Sequence, residues 1–198
     1  MTATPPAWAE VLLRAIVARH DGDAVSGDLL EAYRDSIEPS RGRRRADWWY
    51  VRQVFGFVWR RTWLAALLFG GGFVARTALD WRVPTQDFLV RSEVSTYAGV
   101  CILLAVALHA AWRSGSAAAG SIAGVATAGL GAIVSLTGAA AMLAFWHDPV
   151  TLAAAGMSGG LAEVFTLPVA MLLPGLVVGT FGGLVGAACR RAVRASAN

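Results

Sequence analysis

An all-α polytopic membrane protein is the fold class this sequence predicts, and three observations predict it. Of 198 residues, 56% are apolar and 15% are charged, with a mean hydropathy of +0.55, a balance that suits lipid better than water. The apolar residues gather into four segments, each judged against the roughly 20 residues that cross about 30 Å of hydrocarbon. The 17 Lys and Arg positions are all arginine, and they flank those segments instead of forming a soluble basic face with interleaved aromatics, so anionic lipid headgroups are the expected partner and nucleic acid is not. Disorder, coiled coil, collagen and disulfide scaffolds fall away, because apolar content is high, glycine has no period and there are two cysteines.

Two amphipathic helices open the chain, in a region taken as residues 1–56. From Pro6 to His20, Trp8, Val11, Leu12, Ala15 and Ile16 recur at helical spacing, with Thr4, Pro5 and Pro6 as the start signal. His20, Asp21, Gly22 and Asp23 predict a turn. A second stripe follows in Leu29, Leu30, Tyr33 and Ile37, with Asp28, Glu31, Arg34 and Asp35 facing away. Pro39, Ser40 and Gly42 end it. The basic cluster Arg41, Arg43, Arg44 and Arg45 then precedes an aromatic stretch running from Trp48 to Trp63, which reads as a helix lying along and then entering a headgroup layer. The first residues lack the basic n-region, apolar h-region and cleavage site of a signal peptide, so the start is expected to be retained in the cytoplasm.

The membrane domain, residues 57–198, carries spans near Thr62–Leu79, Ser95–Trp112, Ala118–Trp146 and Leu161–Cys189. Arg76 leaves the first an uninterrupted apolar core of only Trp63–Ala75, and its start could lie as early as Val54. Arg60 and Arg61, then Arg113, then Arg190, Arg191 and Arg194 fall on one side, which the positive-inside rule makes cytoplasmic, with both termini there. The other side carries Asp80, Arg82, Asp87, Arg91 and Glu93, then His147 and Asp148. Trp63, Trp81, Trp112 and Trp146 fall at alternating interfaces and agree with that orientation. Cys101 and Cys189 sit at different depths, on the order of 20 Å apart at 1.5 Å per residue, so no disulfide joins them.

A more specific pattern lies in the first quarter. Gly27, Asp28, Leu29, Glu31, Tyr33 and Arg34 form a Gly-Asp-Leu-x-Glu-x-(Phe/Tyr)-Arg core, followed after the basic linker by Trp49, Tyr50, Arg52 and Gln53 as an aromatic-x-Arg-Gln signature. From about Trp8 to Gly56 the chain resembles the bacterial permease prefix domain, a small cytoplasmic helical module. In that family the module typically precedes a macrolide-exporter-type ABC permease with a large periplasmic domain, and other members carry it on shorter membrane proteins. At 198 residues the chain departs from the longer form. The resemblance implies an inner-membrane protein that is transport-associated or recruits a partner. In physical terms Gly27 is expected to permit close approach or a strained backbone at a helix start, Asp28 to face the positive end of the helix dipole, and Leu29, Leu30 and Tyr33 to pack. Arg34 and Glu31 pair with Arg52 or Asp47 only if the fold brings them together.

Ionisable groups within lipid cost roughly 2.5–3.5 kcal/mol on insertion scales, which singles out Arg76, His109 and Glu163. Arg76 stands one helical turn before Asp80, so snorkelling or an i, i+4 pair competes with a gating or substrate role. Glu163 opens the fourth span, where the dipole favours a carboxylate, at the depth of Arg76; an Arg76–Glu163 bridge is the sharper expectation. His109 is read as facing headgroups. Pro168 and Pro174 should bend the fourth span. Gly175, Gly179 and Gly183 recur every four residues there, and Gly120 and Gly124 open the third span, a spacing that lets helices approach closely within one chain or across a homo-oligomer.

Catalytic motifs are missing. There is no G-x-x-x-x-G-K-[ST] loop, and a chain without lysine cannot make one. Gly129 and Gly131 lack the third glycine of a dinucleotide fingerprint. No H-E-x-x-H, C-x-x-C or G-x-S-x-G occurs. The expectation is therefore a protein that is not an enzyme, holds no metal or cofactor, and relies on a separate ATPase for any ATP-driven work. The leading reading is a transport-associated or partner-recruiting membrane subunit. Its rival is a small transporter or channel using Arg76, Glu163 and the broken fourth span.

Overall fold

A computed structural model describes residues 4–17, 19–83, 88–146, 149, 152–153, 156 and 160–196. Among these described residues 94% are helical and none is in a strand. The chain opens with α1 (Ala7–Ile16) and α2 (Arg19–Glu31), passes through a wide π-helical turn (Ala32–Ile37) into α3 (Glu38–Arg41), and then runs through α4 (Arg43–Arg82), 40 residues without interruption. Three further long segments follow: α5 (Phe88–Ser114), α6 (Ala117–Phe145), and a pair, α7 (Gly160–Ala170) with α8 (Leu172–Ser196). Four helices are long and apolar enough to cross a membrane: Arg43–Arg82, Leu89–Ser114, Ala117–Phe145 and Val164–Ser196. Each contains one of the four apolar segments of the sequence, the third as far as Phe145 and the fourth from Val164 onward.

Between the first helices the sequence expectation is corrected. His20–Asp23 do not form a turn. The chain turns at Val17, whose extended backbone (φ −74°, ψ 142°) ends α1, and α2 has already begun at Arg19. Acidic residues suit the positive end of a helix, so Asp23 lies near the start of one instead of interrupting it. Gly27 and Asp28 consequently lie inside α2, not at its start. Nor does Pro39 stop the second helix. Lacking an N–H and crowding the carbonyl four residues earlier, it coincides with the widened turn at Ala32–Ile37, after which the helix resumes as α3. Gly42, at φ +76°, is the real stop.

The aromatic stretch is not a separate element. It is part of α4, which at 1.5 Å per residue extends about 60 Å, twice a hydrocarbon core. Its first half carries α1–α3 as a helical module, and its second half enters the bundle. No linker separates residues 1–56 from the remainder, since one helix serves both.

In the bundle α5 and α6 form the central pair, with α4 and α8 flanking them. α5 and α6 are joined by Gly115 and Ser116, and Gly115 adopts φ +75°, the left-handed turn that glycine tolerates best. Small residues set the spacing between helices. A Cβ on Gly120 or Gly124 would collide with α8 backbone at Gly183 or Gly175, and one on Gly183 with the Ala117 carbonyl. Gly179 lies against Gly120, Ser121 and Gly124, and Ser121 and Thr180 share a hydrogen bond of 3.0 Å. The glycine stripe thus packs α6 on α8 within one chain. A second crossing, of α4 on α6, is built on Gly70, Gly131 and Gly138, where added Cβ atoms would strike Val134, Phe69 and Val74. Outward, Leu64, Leu68, Leu173, Val177, Phe181 and Leu184 stand exposed, as residues facing hydrocarbon do.

Candidate functional site

Three places in the fold combine chemistry with accessibility or burial: the core of the module, an aromatic face on its outside, and a charged nest at the far end of the bundle.

The module core is built from α1 and the first half of α4. Ala9, Leu13 and Val17 meet Tyr33, Ala46, Tyr50, Val51 and Val54, all buried, with Leu29, Ile37 and Trp49 partly buried against them. Tyr33 and Tyr50 cross edge to face at 6.0 Å. Two such phenols need partners for their hydroxyls. Tyr33 Oη donates to Asp47 Oδ1 at 2.6 Å, and Tyr50 Oη donates to Glu10 Oε2. Glu10 also accepts from Ser26 Oγ at 2.5 Å and Arg14 Nε at 2.8 Å. Burial works against the Glu10 carboxylate, but the hydrogen bonds from Ser26, Tyr50 and Arg14 outweigh it and hold its pKa below the ordinary value. Burial first, and then the bond to Asp47, push Tyr33 up to about 12. The same causes, with Glu10 as partner, raise Tyr50.

Within the prefix-like motif the structure therefore separates two kinds of residue. Tyr33 and Tyr50 are fully buried, and Leu29 and Trp49 support them; Asp28, Glu31, Arg34 and Arg52 are exposed, with Gln53 between. Asp47 is reached by Tyr33. Gly27 makes no close approach, because an added Cβ there meets nothing within 4 Å, and its φ is not positive. Asp28 lies well past the first turn that feels the dipole. Sequence reasoning missed Glu10 and Ser26. The available signal was Glu10 three and seven residues before Leu13 and Val17, on the stripe that is buried.

Outside this core the module presents large apolar groups. Trp8, Val11, Trp48, Phe55 and Trp59 are each more than half exposed, at 54, 67, 69, 53 and 52%, so they are a surface and not part of the packing. Trp48, Phe55 and Trp59 follow one face of α4 at spacings of seven and four, and Trp8 of α1 lies edge-on to Phe55 at 6.5 Å.

At the far end of the bundle, Arg76 and Asp80 are nearly buried, at 8 and 7% exposure, and pair through Arg76 Nε and Asp80 Oδ2 at 3.3 Å. Arg91 of α5 approaches Asp80 Oδ1 at 3.4 Å and donates to the carbonyls of Leu79 and Val83 at 3.2 and 2.8 Å, which ties off the end of α4. Of the two ordinary readings of Arg76 the i, i+4 pair is the one present, and snorkelling is excluded by burial. Asp80 is an interior residue and not part of a connection. Trp81 is likewise corrected: at 2% exposure it is buried in the bundle instead of anchoring an interface, and its Nε1 has no hydrogen-bond partner among the described residues. Trp146 receives Arg82 over its ring at 4.7 Å.

Two spaces adjoin this nest. A polar cavity of about 20 Å³, room for a water-sized group, is lined by Arg76, Thr77, Asp80, Trp81, Ser135 and Pro168. An apolar groove of about 400 Å³ runs between α4 and α5 from Leu68 and Ile102 to Arg76 and Arg91. Pro168 lines the polar cavity with Arg76, while Pro174 lies in the first turn of α8, beyond the break at Met171. The side chain of Glu163 lies outside the described residues. His109 is exposed on α5, and Cys101 and Cys189 are exposed free thiols. Among the described residues no group of three or more His, Cys, Asp or Glu side chains is placed to hold a metal ion. Compared with known proteins, the chain matches no family model, no curated protein and no solved structure.

Proposed function

We propose that this chain is a subunit of a bacterial inner-membrane assembly, without catalytic chemistry of its own, whose module receives a partner protein on the aromatic face of α1 and α4. Transport is the process that the prefix resemblance implies for such an assembly. The observation that carries the reading is the position of the exposed aromatics. Trp63 stands where the apolar part of α4 begins, and Trp48 lies 15 positions earlier in the sequence, about 22 Å along the helix. A headgroup layer adds only about 5–8 Å to each side of the hydrocarbon. For a helix near the membrane normal, Trp48 and Phe55 lie beyond the reach of lipid, and contiguous exposed aromatics in water mark interaction surfaces.

A photo-crosslinking residue in place of Trp48 tests this in intact cells. One defined protein adduct is expected, and Phe55→Ala with Trp59→Ala in the same chain should abolish it while the module stays folded. Adducts with lipid alone, or an adduct indifferent to those substitutions, would overturn the proposal.

A second reading is favoured by the groove between α4 and α5. Its apolar walls end at Arg76 and Arg91, a combination that suits an anionic amphiphile and a small transporter for it. Reconstituted vesicles should then pass such a compound, and Asp80→Asn should change the flux. Flux equal to that of empty vesicles removes this reading.

A further inference from the structure

At the module end of the bundle lies a cavity of about 200 Å³, open to the surface and lined by residues of α1, α4, α5 and α6. Its polar side is made by Arg60, Arg61, Arg113 and His109, and its apolar side includes Val106 and Ile122. Among the described residues no carboxylate lines it. Three guanidinium groups around one space repel one another, and among the described residues none of the three forms an ion pair with an acidic side chain. Arg61 spends one N–H on the carbonyl of Ile16, the last residue of α1, and the carbonyl of Arg113 accepts from Arg190 Nη1 at 2.7 Å. The backbone around the cavity is thus held by arginines, while no carboxylate among the described residues pairs with the positive charge facing it.

We infer that this cavity binds the phosphate of an anionic phospholipid headgroup and thereby fastens the module to the bundle. Guanidinium groups match phosphate oxygens with paired N–H donors. The volume is below the roughly 300–1,000 Å³ of pockets that enclose a drug-sized molecule, so it suits a headgroup whose acyl chains remain outside. Apolar walls beside the charged side fit the glycerol end of a lipid better than a free anion. Depth also selects lipid over a soluble phosphate. Trp63 and Trp112 are two and one residues from Arg61 and Arg113, and both are exposed at 43 and 44%, where amphipathic rings occupy the headgroup level. This goes beyond a general affinity of flanking arginines for the membrane surface, because residues from four helices converge on one space. It does not depend on the partner proposed above.

The full chain, delipidated in a neutral detergent, tests the site by thermal unfolding and native mass spectrometry with phosphatidylglycerol, phosphatidylcholine or inorganic phosphate. Phosphatidylglycerol is expected to raise the melting temperature and remain bound, with phosphatidylcholine and phosphate doing neither. Arg113→Gln should weaken retention about tenfold, the size of one charge-assisted contact, while Arg191→Gln, outside the cavity, should leave it unchanged. If Arg113→Gln proves poorly folded, Arg60→Gln gives the same readout from another helix. Equal protection by phosphatidylcholine, protection by phosphate alone, or retention indifferent to Arg60 and Arg113 would each overturn the assignment.

Discussion

The module and the membrane bundle share α4 yet are held together by opposite means. In the module the space between helices is filled with large groups, Tyr33, Tyr50 and Leu13, and the two phenols are satisfied by Asp47 and Glu10. In the bundle the space is removed. Gly120 and Gly124 on α6 meet Gly175, Gly179 and Gly183 on α8, so that backbones touch. Water explains the contrast. An aqueous core gains from burying apolar area, whereas between lipid-facing helices that gain is absent and close van der Waals contact takes its place. One helix therefore passes from one kind of packing to the other between Val54 and Ala66, both buried.

Substituting a small residue in the bundle should break it hardest. Gly183→Leu drives a side chain into the Ala117 carbonyl, and because the obstacle is backbone the loss should be about 3 kcal/mol or more, the upper range for overpacking. Unfolding in a titration with sodium dodecyl sulfate checks it; an unchanged midpoint would mean the helices can separate freely. Asp80→Ala comes next, since it leaves Arg76 buried without this carboxylate and should cost about 3 kcal/mol in the same titration. In the module, Tyr50→Phe removes one donor to Glu10 and should cost about 1–2 kcal/mol, seen as faster hydrogen exchange in α1 but not in α6.

The polar core of the module adds a pH dependence. Glu10 has a folded pKa below its ordinary 4.5, so its contribution is complete above 4.5 and is lost as pH falls through the folded value. At the other limit Tyr33, raised to about 12, contributes fully below its ordinary 10 and loses that contribution as pH rises toward 12. Glu10→Gln should abolish the acid limb of module stability and leave the alkaline limb, a result readable from hydrogen exchange at several pH values. The smallest effect is expected at Gly27→Ala, a helical position with open space around it, which should stabilise α2 by up to about 1 kcal/mol. Destabilisation there would show that the prefix-like glycine serves a contact beyond this chain.

Legibility from sequence followed the same division. Each apolar span overlaps one long helix, because hydropathy over about 20 residues is a one-dimensional property, but α4 begins nineteen residues before the span read from Thr62. The fourth span is interrupted at Met171, between Pro168 and Pro174, two residues that lack an N–H. The stripe of Gly175, Gly179 and Gly183 was readable by spacing, but not that it meets α6 instead of a second copy. Asp80 and Trp81 were assigned to an exterior that they do not occupy, since hydropathy ranks a carboxylate as loop and cannot see Arg76 and Arg91 converging on it. Glu10 was passed over for a related reason: a single carboxylate on an amphipathic stripe looks like surface until Ser26 and Tyr50 arrive from sixteen and forty residues away.

By itself the sequence determined that this chain is helical, that four of its segments are long and apolar enough for a bilayer, and that its arginines gather at their ends, for these depend on local composition and period. Only the tertiary structure decided that α4 is one continuous rod, that Asp80 lies inside, and that Arg60, Arg61 and Arg113 surround one cavity. Those facts depend on which distant segments become neighbours, and pairing across space is fixed by packing that no local pattern encodes.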